Sequence, residues 1–334
     1  MSTAQNGIGG EIRVRLGRDG EAIGAVEILS TRPRDAARIF VGMPVDRMCE
    51  TIGRVFSLCG TAQSVAALRA AEAAQGLDSE PGVEAARDLA RLAEMLTQTA
   101  MRLALHWPRV LGLEPRPEIV RACLAAERQI EAEALGPGWR RPGAGAAMPG
   151  AALAEALGAL DTLIEAADPG APLAEALAAR GIEGYGALPG AMAPEAGAFA
   201  RNWEAPRVAA LREAHGAGLA ARLAASRAEL EDLPLQMLAA LNRIAATPAR
   251  SARRDTGDGM ARVETARGPL THRQRLSDGV VVACATEAPT EANFAPGGPV
   301  AAGLRGAPLD AVAAELHLLA IDPCVACSIE LAER

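Results

Sequence analysis

The sequence predicts a mainly α fold of the α+β class, in which a bundle of long helices packs beside small antiparallel sheets. Half of the 334 residues are hydrophobic but only 2% are aromatic, so we expect a core of Ala, Leu and Val in close-packed helices. The length is enough for one large core. We therefore predict a single domain over residues 1–334, with a less regular and peripheral Ala-, Gly- and Pro-rich segment at 136–206.

Two hairpins account for the predicted strands. Residues 11–29 alternate apolar with polar side chains on both sides of an Asp19-Gly20 turn, which is the pattern of a half-buried hairpin. Residues 260–284 show the same pattern, with Ser277-Asp278-Gly279 as the turn. The sequence therefore predicts one hairpin near each end of the chain.

Helical periodicity covers most of the remaining residues. Gly60-Thr61 separates the first two helices, and Trp107-Pro108 is expected to close the third. The predicted helices span residues 46–59, 61–75, 83–106, 117–134, 151–166, 172–180 and 309–320, and residues 207–245 have helical character.

One further short helix is predicted to begin at Asp322 and Pro323, because Asp suits the N-cap and Pro the first helical position. Cys324 and Cys327 would then lie on one face of its first turn. The positive end of the helix dipole favours thiolates there. This pair is therefore a candidate for a soft metal ligand or a redox dithiol.

Composition excludes several classes of partner. The formal net charge of −7 argues against nucleic acid and anionic membranes, which select basic surfaces. No apolar run reaches membrane-spanning length, and residues 1–10 lack the apolar segment of a secretion signal. We therefore expect a cytoplasmic protein whose six cysteines bind metal or stay free.

Four segments resemble nickel-iron hydrogenase large subunits, in the order of that family. Asp322 to Cys327 (DPCVAC) matches the C-terminal motif Asp-Pro-Cys-x-x-Cys-x-x-His. Residues 54–63 (RVFSLCGTAQ) resemble Arg-x-Cys-Gly-x-Cys-x-x-x-His. Residues 264–272 (ETARGPLTH) resemble Glu-x-Pro-Arg-Gly-x-x-x-His, and residues 289–293 (PTEAN) resemble Pro-Thr-x-x-Asn. Residues 8–13 (IGGEIR) are similar to the family's opening segment.

The departures from the family pattern indicate a degenerate homologue. Phe56 stands at the first cysteine of the N-terminal motif, Gln63 at its histidine and Gly9 at a glutamate of the opening segment. The resemblance covers roughly residues 8–75 and 260–330. Such a chain resembles hydrogenase maturation proteins of the HupK/HoxV type, which implies a trimmed large-subunit fold and a non-catalytic role.

The resemblance also implies a metal site. In the family, the second cysteine of each pair bridges nickel and iron, and these positions correspond to Cys59 and Cys327. Cys324 corresponds to a position that binds nickel only. The implied cargo is the Fe(CN)2CO unit, held transiently by Cys59 and Cys327 with help from Cys324. Nickel is not expected, because Phe56 replaces the other nickel-only cysteine.

The resemblance also implies roles for three polar residues around the bound metal unit. Iron(II) with two cyanides and a carbonyl is neutral, so two thiolates make the bound assembly a dianion that needs a buried compensating charge. Arg267 is expected to donate to one cyanide and Thr290 to the other. Asp322 is expected to orient Arg267 through a bidentate pair.

The resemblance further predicts how the C-terminus is processed and which proteins the site serves. Enzyme precursors of the family carry a cleaved C-terminal extension after the motif histidine, whereas Glu330 stands at that position and only residues 331–334 follow. We therefore expect no cleavage and an open site that hands its cargo onward. The implied partners are HypC/HypD-type maturation proteins and the immature large subunit.

Plainer readings of the same residues stay open. Cys59 suits a small buried apolar position, and Arg267 suits a surface turn. The Cys324 and Cys327 pair would also suit a dithiol, although the usual βαβ context is missing, or half of a zinc site that lacks local partners. The chain could thus also be a degenerate hydrogenase-like enzyme or an interaction protein that binds no metal.

Overall fold

The computed structural model describes residues 10–33, 35–190, 192–250 and 254–332. The strands are β1 (Glu11–Asp19), β2 (Ala22–Ser30), β3 (Gly257–Thr265), β4 (Gly268–Ser277), β5 (Val280–Glu287) and β6 (Ala326–Leu331). The helices are α1 (Val45–Val55), α2 (Gly60–Gln75), α3 (Pro81–Met101), α4 (Trp107–Leu111), α5 (Pro117–Glu133), α6 (Ala151–Ala167), α7 (Ala171–Arg180), α8 (Ala198–Arg201), α9 (Pro206–His215), α10 (Leu219–Leu241), α11 (Pro289–Asn293), α12 (Pro299–Leu304) and α13 (Ala311–Ile321).

The first sheet joins the two ends of the chain in the order β2-β1-β6. β1 pairs with β2 in the predicted antiparallel hairpin and with β6 in parallel. Every second residue of β1 faces the core, where Ile12, Val14 and Leu16 are almost completely buried. Glu330 of β6 accepts a hydrogen bond from Arg15 of β1 at 3.0 Å. The pairing therefore brings the segment before β6 to the N-terminal hairpin.

The second sheet is antiparallel, in the order β3-β4-β5. Its predicted turn is confirmed, since Asp278 and Gly279 both take positive φ values of 51° and 71° between β4 and β5. α2 packs against β3 at very short range, because a Cβ atom on Gly259 would lie only 1.9 Å from the carbonyl oxygen of Ala70. This contact fixes α2, and with it the turn that precedes it, beside the sheet.

The helices supply most of the hydrophobic core. α3 and α10 pack along each other, and α5 and α6 pack beside them. The buried side chains are mainly Ala and Leu, as the low aromatic content predicts. In the segment 136–206, Leu153 and Leu157 of α6 belong to this core. The peripheral character of the whole segment stays a prediction.

Two helix predictions are wrong. The residues after Asp322 do not form a helix: Asp322 instead ends α13 in the left-handed conformation with φ 57°, and the chain then continues as β6. Pairing with β1 supplies backbone hydrogen bonds that an isolated short helix would lack. Trp107-Pro108 does not end the third helix either, because α3 continues through a π-helical turn (Arg102–His106) into α4. Pro108 has no N–H for the carbonyl oxygen of Ala104, and this oxygen instead accepts from the backbone N–H of Arg116 at 2.8 Å.

No helix among the described residues is both long and apolar enough to cross a bilayer.

Candidate metal-unit site

A cavity of about 590 Å³ lies where the two ends of the chain meet. Its walls come from the turn between α1 and α2, the end of β5, the start of α11 and the segment between α13 and β6. The side chains of most interest that line it are Phe56, Cys59, Gln63, Arg267, Thr290 and Cys324. All six belong to the four segments that carry the family resemblance.

Cys59 lies between α1 and α2, at the end of a 3₁₀ turn (Ser57–Cys59). The two helices approach so closely here that a Cβ on Gly60 would lie 2.6 Å from the carbonyl oxygen of Gly53, which explains why glycine follows Cys59. Burial, reinforced by the charges of Glu94 and Cys324, raises the pKa of Cys59 to about 12. Cys59 is therefore a thiol at neutral pH, and metal binding must displace its proton.

Arg267 and Asp322 form an ion pair at the back of the cavity. The Nη2 of Arg267 lies 3.1 Å from Oδ2 of Asp322, and the Nη1 of Arg102 lies 3.5 Å from the same oxygen. Only one carboxylate oxygen is used, so the pair is not the bidentate arrangement that we expected. All three residues are more than nine-tenths buried. The two guanidinium groups and one carboxylate leave this cluster with one excess positive charge.

The geometry of the cluster leaves hydrogen-bonding capacity unused. The Nε of Arg267 and the Oδ2 of Asp322 have no hydrogen-bond partner, although the charged groups lie within ion-pair distance. Nη1 of Arg267 donates to Gln98 at 2.6 Å. Burial would lower the pKa of Arg267, but the negative charge of Asp322 raises it, and thiolates at Cys59 and Cys324 would raise it further. Arg267 therefore stays cationic beside the two thiols.

Thr290 holds Cys324 in place. The backbone N–H of Cys324 donates to the Thr290 hydroxyl oxygen at 3.2 Å, and Thr290 is only 1% exposed. The hydroxyl hydrogen of Thr290 stays available as a donor in the cavity wall. The side chains of Cys59, Cys324, Arg267 and Thr290 thus line one cavity, and Asp322 lies behind them against Arg267. Their roles toward a metal unit stay predictions.

Cys327 lies outside this group of side chains. It pairs with Ile12 in the parallel register of β1 and β6, and it packs against the hydrophobic core. Paired residues of adjacent strands project to the same face, so Cys327 shares the core-facing side of the sheet with Ile12. Burial raises its pKa to about 12. The prediction that a helix dipole favours a thiolate at Cys327 fails, because no helix begins there.

Phe56 lines the cavity at the position where the family has a cysteine. Its ring packs against Phe40, with a distance of 6.5 Å between ring centroids. An apolar ring therefore occupies part of the wall that a thiol would otherwise share.

Sequence reasoning missed several polar residues of this site. Gln98 of α3 donates to the carbonyl oxygen of Leu58 and accepts from Arg267, so it ties the Cys59 turn to the guanidinium. Glu94 accepts hydrogen bonds from the backbone N–H groups of Thr61 and Ala62 at the start of α2. These contacts join α3 to distant segments, and no short motif of the sequence signals them.

Cys284 was also missed as a lining residue. It belongs to no motif of the sequence, and it lies in β5 at the cavity wall as well as against the core. The residues at 8–9 that resemble the family's opening segment lie outside the described residues. Within the described part of the chain, no group of three or more His, Cys, Asp or Glu side chains is arranged to hold a metal ion.

Comparison with solved structures identifies the fold. The chain superposes on the Ni-Fe-Se hydrogenase from Desulfovibrio vulgaris Hildenborough in its reduced state with a TM-score of 0.72, covering 92% of this chain and 94% of that one at 15% identity. The reduced hydrogenase from Desulfomicrobium baculatum gives a TM-score of 0.70 with 92% and 95% coverage at 13% identity. The fold is that of a nickel-iron hydrogenase large subunit in trimmed form.

Curated relatives identify the family. The hydrogenase expression/formation protein HupK of Bradyrhizobium diazoefficiens is 30% identical, with 97% of each chain covered. HupK of Rhizobium leguminosarum bv. viciae is 34% identical over 92% of this chain and 93% of that protein, and HupV of Azotobacter chroococcum is 28% identical over 96% and 98%. No protein-family model matches the chain. The chain belongs to the HupK family of hydrogenase expression/formation proteins, as the sequence motifs predict.

Proposed function

We propose that this protein is a non-catalytic scaffold that transiently holds the Fe(CN)2CO unit during assembly of a nickel-iron hydrogenase. The names of its relatives support a role in hydrogenase expression and formation. The observation that carries the finer proposal is the buried cluster of Arg102, Asp322 and Arg267, which has one excess positive charge beside the thiols of Cys59 and Cys324.

The charge of this cluster suits the proposed cargo. The iron unit with its cyanides and carbonyl is neutral, and two thiolate ligands make the assembly a dianion. A buried anion is costly unless a cation compensates it. The side chain of Arg267 lines the cavity, while its one unused N–H donor, on Nε, is buried away from the cavity surface. Its guanidinium therefore compensates part of the charge and donates to a cyanide nitrogen.

Thr290 serves the second cyanide. Its hydroxyl oxygen already accepts from Cys324, so its hydrogen is directed elsewhere in the cavity wall. The same residue thus positions one thiol and supplies one donor. Thiolates are soft ligands that suit low-valent iron with cyanide and carbonyl.

Cys327 is the third proposed ligand, and it differs from the other two in its surroundings. Its side chain packs against the core in β6, one residue beyond the part of the chain that lines the cavity. For Cys327 to bind the iron unit together with Cys59, the first residues of β6 must turn toward the cavity. Cys59 and Cys324 are therefore the thiols that receive the cargo first.

The proposal excludes nickel as a resident metal. Phe56 removes one thiol and fills the wall with an aromatic ring. The iron unit is then cargo that passes to the immature hydrogenase large subunit in the cytoplasm. HypC/HypD-type maturation proteins are the proposed donors of the unit.

Infrared spectroscopy tests this function directly. The protein is purified from cells that make the cyanide and carbonyl ligands, and the expected result is a set of C–N and C–O stretching bands. These bands are lost in Cys59→Ala and Cys324→Ala but kept in Cys123→Ala, which removes a buried thiol of α5 that does not line the cavity. Loss in Cys327→Ala places that residue among the ligands.

A function in protein interaction without metal is the second candidate. One observation favours it, namely that the described residues hold no preformed group of three ligating side chains. Wild-type protein without ligand bands, combined with unimpaired hydrogenase assembly in a Cys59→Ala strain, would decide for this second function.

A further inference from the structure

A line of hydrogen bonds runs from the cavity wall to the sulfur of Cys59. Thr286 Oγ1 lies 3.5 Å from Nδ1 of His272, and Nε2 of His272 lies 2.7 Å from Oε1 of Gln63. The amide Nε2 of Gln63 donates to Cys59 Sγ at 3.6 Å. Gln63 and His272 are buried, with exposed fractions of 3% and 0%. The bond between Gln63 and His272 is therefore shielded from bulk water, whereas Thr286 is partly exposed at the cavity wall.

The direction of these hydrogen bonds follows from simple donor and acceptor rules. Burial lowers the pKa of His272 to about 4, so its ring is neutral at pH 7 and carries one N–H. The Oε1 of Gln63 can only accept, so that N–H must be on Nε2. The Nδ1 atom is then an acceptor for the Thr286 hydroxyl. Every donor in the line points toward Cys59.

The opposite direction is possible only for a protonated sulfur. If the Gln63 amide turned over, its oxygen would face Cys59 and would need an S–H donor. A sulfur bound to metal has no such hydrogen, and a carbonyl oxygen facing it would repel its charge. Metal binding at Cys59 therefore locks the amide with its N–H toward the sulfur and His272 in the Nε2–H form.

We propose that Gln63, held in place by His272, is a positioning residue that donates a hydrogen bond to the Cys59 thiolate and so tunes how strongly this sulfur donates to a bound metal. Gln63, which stands where the family pattern has a histidine, then has a role of its own toward Cys59. Outer hydrogen bonds of this kind commonly adjust the electronic properties of metal ligands. Where the metal is the iron unit, the inference rests on the proposed function.

The first test needs no cargo. Iodoacetamide alkylation of Cys59 is measured at one fixed pH by mass spectrometry of peptides, with Cys324 in the same cavity as the reference for access. In Gln63→Leu and Gln63→Met the rate at Cys59 is expected to fall about two- to threefold, because the loss of one ordinary hydrogen bond lowers the thiolate fraction about fivefold while each remaining thiolate becomes the better nucleophile. An unchanged ratio of Cys59 to Cys324 rates in both variants overturns the proposal.

Gln274→Leu is the matched control. Gln274 is a buried glutamine of β4, two residues after His272 in the same strand. Like His272 it contacts α2, in this case by donating a hydrogen bond to the carbonyl oxygen of Ala67. It does not line the cavity. This variant is expected to have the same thermal stability as the Gln63 variants. Its alkylation rate at Cys59 is expected to equal that of the wild type. A fall of the same size in the control overturns the proposal as well.

The second test uses the loaded protein. Removing the N–H donor makes the Cys59 sulfur a stronger donor, so iron donates more electron density to carbonyl and the C–O band moves to lower wavenumber in Gln63→Leu. An unmoved band in a loaded variant overturns the proposal. Loaded protein is absent if the scaffold function itself is wrong, and the alkylation test then still decides whether Gln63 acts on Cys59.

Discussion

Arg267 and Asp322 lie 3.1 Å apart at the back of the cavity, although they come from two segments of the chain that are distant in sequence. Arg102 approaches the same carboxylate oxygen from the π-helical turn after α3. One carboxylate therefore serves two buried guanidinium groups. This arrangement makes Asp322 more important for stability than either arginine alone.

The first prediction is that two variants of this ion pair lose different amounts of unfolding free energy. Asp322→Asn leaves two buried cations without a counter-charge, and we expect it to lower the free energy of unfolding by about 3 kcal/mol. Arg267→Met leaves Asp322 paired with Arg102 and should cost less. Asn tolerates the left-handed conformation at this position, so backbone strain does not confuse the comparison. Urea unfolding checks it, and equal losses in the two variants would contradict the shared-carboxylate arrangement.

A second prediction concerns the pH dependence of stability. Burial, opposed by backbone hydrogen bonds from Ala62 and Thr61, raises the pKa of Glu94 from an ordinary value of 4.5 to about 7. Because the folded pKa is the higher one, Glu94 favours the folded state below pH 4.5, and this contribution is lost as the pH rises toward 7. The loss is on the order of 3 kcal/mol.

Glu94→Gln isolates this effect, because the amide keeps an acceptor oxygen but cannot ionise. The stability of the variant relative to the wild type should increase between pH 5 and pH 8. Unfolding free energies at several pH values measure the difference. A difference that stays constant across this range would show that Glu94 does not titrate as its burial indicates.

A third prediction tests the role of Phe56. Phe56→Cys adds a fourth thiol to the wall that already holds Cys59, Cys284 and Cys324, and we expect the variant to retain nickel(II) after gel filtration where the wild type does not. Leu58→Cys is the control, since it adds a thiol to another lining position that is half exposed. The nickel content of both variants is measured by metal analysis. Equal nickel contents would show that Phe56 is not the residue that keeps nickel out of the cavity.

The fourth prediction uses the bond between Thr290 and Cys324. Thr290→Val leaves the Cys324 N–H without its acceptor, which should destabilise the protein by about 1–2 kcal/mol and make Cys324 more mobile. Thr290→Ser keeps the hydroxyl and should resemble the wild type. Alkylation of Cys324 relative to Cys59 measures the change. Identical rates in the Val and Ser variants would show that the hydroxyl does not position Cys324.

The fold was largely predictable from the sequence where the pattern is local. The two hairpins and most helix positions follow from alternation, periodicity and turn residues, as at Asp278 and Gly279. The strand after Asp322 was not predictable in this way, because it forms by pairing with β1, which lies at the other end of the chain. Local signals for a helix N-terminus at Asp322 and Pro323 lost to long-range pairing.

The candidate site shows the same limit. Motif resemblance selected six residues, of which Cys59, Cys324, Arg267 and Thr290 line one cavity in the structure. Asp322 contacts Arg267, whereas Cys327 packs against the hydrophobic core. The resemblance did not select Gln98 or Glu94, because these residues act through contacts between elements that no spacing rule predicts.

The pairing of β1 with β6 also determines when the cavity can exist. Ile12 finds its partner Cys327 only after almost the whole chain has been synthesised, so the cavity cannot close while the ribosome is still making the helices. During that time the free edge of β1 is open to pairing with other chains. Folding of this protein is consequently exposed to aggregation until β6 has been added.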